Sequence, residues 1–138
     1  MKNKRCGNCG SFEVKNKPYL GPFPWKDYPQ VYLSNPTTVL QCEICGETMG
    51  GPGDAKRLDT VAVESISHQV RLFIDRIAQR EGCTQTDLAE RVGITPQYLS
   101  TLKNGANIPG FQTFNFLKIL ALDERAFKLA SPTAKLIA

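Results

Sequence analysis

Thr84-Gln85-Thr86-Asp87-Leu88-Ala89-Glu90-Arg91-Val92-Gly93-Ile94-Thr95-Pro96-Gln97-Tyr98-Leu99-Ser100-Thr101-Leu102-Lys103-Asn104-Gly105 reads as two short helices and the turn between them, with each boundary marked by its own chemistry. Thr84 is suited to cap a helix whose first turn carries Asp87, and Leu88 and Val92 give that helix an apolar face. Ala89 is small where a second helix has to cross closely. Gly93 ends the first helix and Ile94 fills the turn. Thr95 caps the second helix, and Pro96 takes its first position, where a missing N–H costs nothing. Leu99 and Leu102 face inward, and Asn104-Gly105 terminates the helix. Burial of those positions leaves Gln97, Ser100 and Thr101 on the outer, N-terminal face, the part of a recognition helix that meets base edges in a major groove. Gln can pair with adenine through two hydrogen bonds, and Thr can touch a thymine methyl or accept a single bond.

The flanking sequence extends this helical half. Ile66, Val70, Ile74 and Ile77 recur at helical spacing with Arg71, Asp75, Arg76 and Arg80 on other faces, which predicts an amphipathic helix ending at Gly82. Beyond Pro109 a further helix carries a stripe of Phe111, Phe114, Leu117 and Ala121. Phe116 and Ile119 fall outside that stripe, and Phe127 and Leu129 follow in a short helix stopped by Pro132. Two apolar faces suggest a subunit interface, and two-fold dimers are the usual way to read paired half-sites. The tail 134–138 is compatible with that interface or with fraying. His68 lies off the apolar stripe and reads as a surface residue. Cys83 reads as a small, half-buried one.

The other half is organised by two knuckles, Cys6-Gly7-Asn8-Cys9-Gly10 and Cys42-Glu43-Ile44-Cys45-Gly46, which hold four of the five cysteines. A Cys-x-x-Cys turn places two sulfurs on adjacent corners of a tetrahedron, and the Gly lets the backbone fold over them. Together Cys6, Cys9, Cys42 and Cys45 are expected to hold one structural Zn²⁺ per chain, with a rubredoxin-like iron or two disulfides as the alternatives. Four protein ligands leave no open coordination position, and the one His lies in the other half. Metal-activated water, and hence an enzyme, is not expected.

Residues 1–60 contain seven of the eleven Gly and six of the nine Pro, whereas 61–138 carry most of the helically spaced apolar residues. The expected class is α+β in two small domains: a zinc-ribbon-like β unit at 1–55 and a helical domain at 61–138. The break Gly50-Gly51-Pro52-Gly53-Asp54 and the charged run after it put the boundary at 50–60. Runs at 31–33 and 37–40 read as short strands, the second leading into Cys42. Four Pro between 18 and 29 argue against a regular strand or helix there, leaving an aromatic loop that serves as a makeshift core or as a protein-binding surface. The formal charge of +4 falls to about +2 once four thiolates and one Zn²⁺ are counted. Any nucleic-acid binding must therefore come from a local face and not from bulk charge. With no apolar stretch long enough for a membrane span or signal region, a soluble, cytoplasmic protein is expected.

Residues 67–122, with their Gln-x-x-Leu-Ala start at Gln85, central Gly93 and closing Asn104-Gly105, resemble the Cro and lambda-repressor type of helix-turn-helix domain. That resemblance implies five helices, a phosphate contact from Gln85 and base reading by Gln97 and Thr101. Further phosphate contacts are expected from the second helix's N-terminus at Thr95 and Pro96 and from Arg91 or Lys103, with Ser100 on the discriminating face. The order of the halves, the spacing of the knuckles and the short linker make the whole chain similar to the MqsA-type antitoxin family. This second resemblance implies a structural metal unit that binds a partner toxin, often an mRNA-cleaving ribonuclease, and a C-terminal domain that dimerises and represses its own operon. Two departures stand out: the family commonly has Asn and Arg where this chain has Gln97 and Thr101, which implies a different operator, and the Pro-rich stretch 18–29 is unlike its usual intervening segment. The alternatives are a zinc-containing helix-turn-helix regulator without a toxin and a rubredoxin-like redox protein.

Overall fold

The computed structural model describes residues 4–49 and 54–133. The linker residues 50–53 and the tail 134–138 lie outside the described residues. The chain divides into two compact units, Met1–Ser65 and Ile66–Ala138. The division falls inside helix α1 (Asp54–Glu81), downstream of the glycine-rich break. Residues 54–60, expected as part of the boundary, are the helix's first turns.

The first unit is built on a three-stranded antiparallel sheet in the order β1 (Val14–Tyr19), β4 (Thr37–Cys42), β5 (Thr48–Met49). Its register runs from Val14 opposite Cys42 to Tyr19 opposite Thr37. A separate hairpin pairs β2 (Phe23–Trp25) with β3 (Tyr28–Val31). Thr37, Val39 and Cys42 are buried on β4, and Tyr28, Val31 and Leu33 are buried nearby in sequence. The helix contributes buried Ala62 and Ser65. Three hydrogen bonds tie it to the strands and loops: Trp25 Nε1 to Asp59 Oδ1 (2.8 Å), Arg57 Nη2 to the Thr38 carbonyl (2.7 Å), and the Ser34 amide to Ser65 Oγ (3.0 Å).

Here the structure corrects the sequence reading. Pro18, Pro24 and Pro29 all lie within strands. They are tolerated because β1 is an edge strand and β2 and β3 form a two-stranded ribbon, so a missing N–H need not interrupt a ladder. Gly21 has φ +102, and a Cβ there would strike the Val31 carbonyl oxygen and press on Tyr32 Cα at 3.3 Å. Only glycine fits this approach of backbone to backbone. Of the aromatic stretch, Tyr28 is buried at 3% exposure and Tyr19, Phe23 and Trp25 are half-buried, with the Trp25 and Tyr28 rings 5.9 Å apart.

In the second unit, the remainder of α1 presents Ile66, Val70, Ile74 and Ile77, all buried as their spacing predicts. It is joined by α2 (Gln85–Val92), α3 (Pro96–Lys103), α4 (Phe111–Leu122) and α5 (Glu124–Leu129), giving five helices among the described residues. Leu88, Ala89, Leu99, Leu102, Leu117, Leu120, Ala121 and Phe127 complete the core. Arg80 reaches across to donate to the carbonyls of Leu120 and Ala121 at 2.7 and 2.8 Å, which satisfies the otherwise orphaned C-terminal end of α4. Phe127 is a core residue and not part of an outer apolar face; Ile119, Leu122 and Leu129 remain exposed. His68 is exposed and Cys83 half-buried. No helix among the described residues is long and apolar enough to cross a membrane.

Candidate metal centre and nucleic-acid interface

The two knuckles fold alike. In the first, the Gly10 amide donates to the Cys6 carbonyl at 2.9 Å with φ +78; in the second, Gly46 donates to Cys42 at 2.9 Å with φ +76. A left-handed residue at this position is why each Cys-x-x-Cys ends in Gly. The Glu43 amide donates to the Glu13 carbonyl at 2.8 Å, linking the second knuckle to the strand approach that follows the first. Lys15 and Lys17 both reach Glu43, at 3.2 and 3.0 Å, and lower its carboxyl pKa, Lys17 contributing most.

All four sulfurs lie within 4.8 Å of one another, with Cys6 Sγ 3.6 Å from Cys45 Sγ and Cys9 Sγ 3.5 Å from Cys42 Sγ. A tetrahedral ion with metal–sulfur bonds of about 2.3 Å requires sulfurs about 3.8 Å apart, so the set fits zinc. Cys6 and Cys42 are buried, Cys9 and Cys45 exposed, and all are free thiols. Their charges are unequal. The Ser11 backbone amide favours a Cys9 thiolate, but the Cys42, Cys45 and Cys6 sulfurs together with burial outweigh it and push its pKa up to about 12. Cys45 goes down to about 6, chiefly through a hydrogen bond from the Glu47 backbone and then from the Asn8 side chain. Thiols packed this closely cannot all ionise without a cation among them. Four sulfurs would leave an ion held here no open position for water or substrate.

The helix-turn-helix is capped as its sequence predicts. Thr84 and Asp87 form a reciprocal capping box, with the Asp87 amide donating to Thr84 Oγ1 at 3.1 Å and the Thr84 amide to Asp87 Oδ2 at 3.4 Å. Gly93 has φ +84 and donates to the Ala89 carbonyl at 2.9 Å. The Tyr98 amide donates to Thr95 Oγ1 at 3.1 Å, and Pro96 opens α3. Gln85, Thr95, Gln97 and Ser100 are exposed; Pro96, Thr101 and Lys103 are half-buried.

Three of the side chains expected at the DNA have partners within the protein. Arg91, expected as a possible phosphate contact, donates from Nη1 to the carbonyls of Phe127 (3.0 Å) and Ala130 (2.6 Å) and lies over the Phe127 ring at 4.4 Å. Through Nη1 it closes the end of α5. Lys103 lies 3.9 Å from Asp75, a loose exposed pair that leaves its ammonium accessible. Thr101 Oγ1 donates to the Tyr98 carbonyl at 2.7 Å and accepts from Asn107 Nδ2 at 3.0 Å. Sequence reasoning missed Asn107. It follows an Asx turn in which Asn104 Oδ1 accepts from the Ala106 amide at 2.9 Å. The Asn-Gly-Ala-Asn run at 104–107 announces a turn, but gives no sign that its last side chain returns to the helix.

Comparison with known families matches residues 75–116, from the later turns of α1 into α4, to the Helix-turn-helix family model. No curated protein matches the chain, and no solved structure matches it. The matched family is one of DNA-binding regulators of the Cro/C1 type. The second unit is thus similar to a DNA-binding transcription regulator, in a chain whose first unit carries a four-cysteine cluster able to hold a metal ion such as zinc.

Proposed function

We propose that the protein is an antitoxin-like transcriptional repressor of the MqsA type, which binds its own operator as a homodimer and a partner toxin through its zinc-stabilised N-terminal unit. The observation that carries the DNA-binding part is the capped α2–turn–α3 element, with Gln97 and Ser100 exposed on α3, inside the segment that matches the helix-turn-helix family. Gln97, Ser100 and Thr101 discriminate bases, while Gln85, Thr95, Pro96 and Lys103 set register on phosphates. Exposed Ile119 and Leu122, spaced three residues apart on α4, support a self-association face. Phe12, Leu20, Tyr32 and Ile44, each about half exposed or more, support a protein-binding role for the first unit. Cys6, Cys9, Cys42 and Cys45 hold the ion that stabilises this unit.

The test is a titration of the metal-loaded protein against the DNA upstream of its own gene and a scrambled duplex of equal length, at two salt concentrations. Preferential binding of the upstream duplex by two chains is expected; equal affinity for both duplexes overturns the repressor reading. Co-expression with the product of the adjacent gene tests the toxin separately, since a toxin's growth arrest is relieved only if the two proteins bind.

A further inference from the structure

The Thr101 side chain has two ways to read a base, through its hydroxyl or through its methyl, and its surroundings separate them. A threonine hydroxyl has one proton and two lone pairs. The proton is committed to the Tyr98 carbonyl at 2.7 Å, and one lone pair receives Asn107 Nδ2 at 3.0 Å. No donor remains for a base, and acceptance by the residual lone pair competes with two short bonds already in place. The methyl has no such obligation. Thr101 is half-exposed and lies four residues after exposed Gln97, so it shares that residue's side of α3.

We propose that Thr101 recognises a 5-methylpyrimidine, contacting the thymine methyl with its own methyl, and that Asn107 is the positioning residue that holds its hydroxyl out of the readout. This rests on the DNA-binding reading above and deepens it by naming the feature read. In the major groove the methyl distinguishes thymine from cytosine and from uracil, and apolar contact is the chemistry that recognises it.

The full-length, metal-loaded protein is used to select bound duplexes from a random-sequence library, and each thymine of the selected site is then replaced in turn by uracil, which removes only the methyl. At one thymine position, uracil is expected to weaken binding about fourfold, the effect of losing one buried methyl. Thr101→Val, which keeps the methyl, should retain that sensitivity, and Thr101→Ser, which keeps the hydroxyl, should lose it. Asn107→Ala frees the hydroxyl to rotate and should reduce the thymine-to-uracil ratio, an effect that general loss of stability would not produce. The uracil series on the unsubstituted protein needs no variant, so a folding defect in any of them leaves it decisive. A selected site in which no thymine is sensitive to uracil overturns methyl recognition alone. Sensitivity kept by Thr101→Ser and lost by Thr101→Val assigns the readout to the hydroxyl and also overturns it. Failure to enrich any sequence overturns the DNA-reading assignment itself, and this inference with it.

Discussion

Arg91 lies over the Phe127 ring, with its guanidinium carbon 4.4 Å from the ring centroid and Nη1 donating to the Phe127 carbonyl at 3.0 Å. A charged donor, a cation–π contact and a helix C-terminus are combined in one side chain. Arg91→Ala is expected to destabilise the second unit by about 2 kcal/mol, the scale of hydrogen bonds from a charged group. Thermal melting followed by far-UV circular dichroism measures it. The salt dependence of DNA binding should keep its slope. A slope reduced by about one would mean that Arg91 neutralises a phosphate after all.

Trp25 is the sole tryptophan, so its fluorescence reports on the first unit alone. Asp59→Ala removes the acceptor of its indole N–H and should lower stability of that unit by about 1 kcal/mol. Urea unfolding followed at the tryptophan checks this. An unchanged midpoint and emission maximum would show that the helix is held without this bond.

Cys42→Ser breaks the sulfur cluster at a buried position. Metal binding energy is folding energy for so small a unit, so its β-sheet resonances should collapse while those of α2–α5 persist in NMR spectra. Retention of one metal ion per chain with undiminished thermal stability would contradict this.

Gln97→Ala should cost about 1–3 kcal/mol at a matched operator and relax the preference at one base pair. Competition between matched and mismatched duplexes is the measurement. Equal weakening on both would remove Gln97 from the base-reading set.

In the metal-loaded protein Cys83 is the one cysteine outside the cluster. Burial above all, with the nearby Asp87 and Glu81 carboxylates, raises its pKa against the opposing backbone hydrogen bond at Cys83 and the smaller effect of Arg91. The neutral thiol is thereby favoured in the folded state. Its contribution to stability is full below the ordinary thiol pKa and lost as pH rises through the higher folded value. Reaction with a disulfide reagent should expose one slow thiol at pH 8, slower than free cysteine and accelerating at more alkaline pH. A rate equal to that of free cysteine at pH 8 would refute the burial argument.

The knuckles, caps and helix stops were legible in the chain, whereas strand β1 at 14–19 was not. The two Cys-x-x-Cys-Gly turns, the caps at Thr84 and Thr95, the stop at Gly93 and the stripe from Ile66 to Ile77 each depend on interactions within about one turn of backbone. Such interactions are written in residue order. The prolines at 18–29 misled for the opposite reason. A missing N–H matters only if another strand seeks it, and strand order decides whether one does.

The sequence by itself thus determined a four-cysteine cluster, a capped helix-turn-helix and the apolar stripe of α1 from Ile66 to Ile77. Only the tertiary structure decided that α1 begins at Asp54 and is tied to Trp25, that Arg91 serves α5, and that Asn107 holds the Thr101 hydroxyl. Arg91 and Phe127 illustrate the difference: their partnership spans 36 residues of chain, and no local spacing encodes it. Long-range partners are chosen by which helix ends and side chains the packed core brings within hydrogen-bonding reach. That choice gave the Thr101 hydroxyl both a carbonyl acceptor on Tyr98 and an amide donor on Asn107.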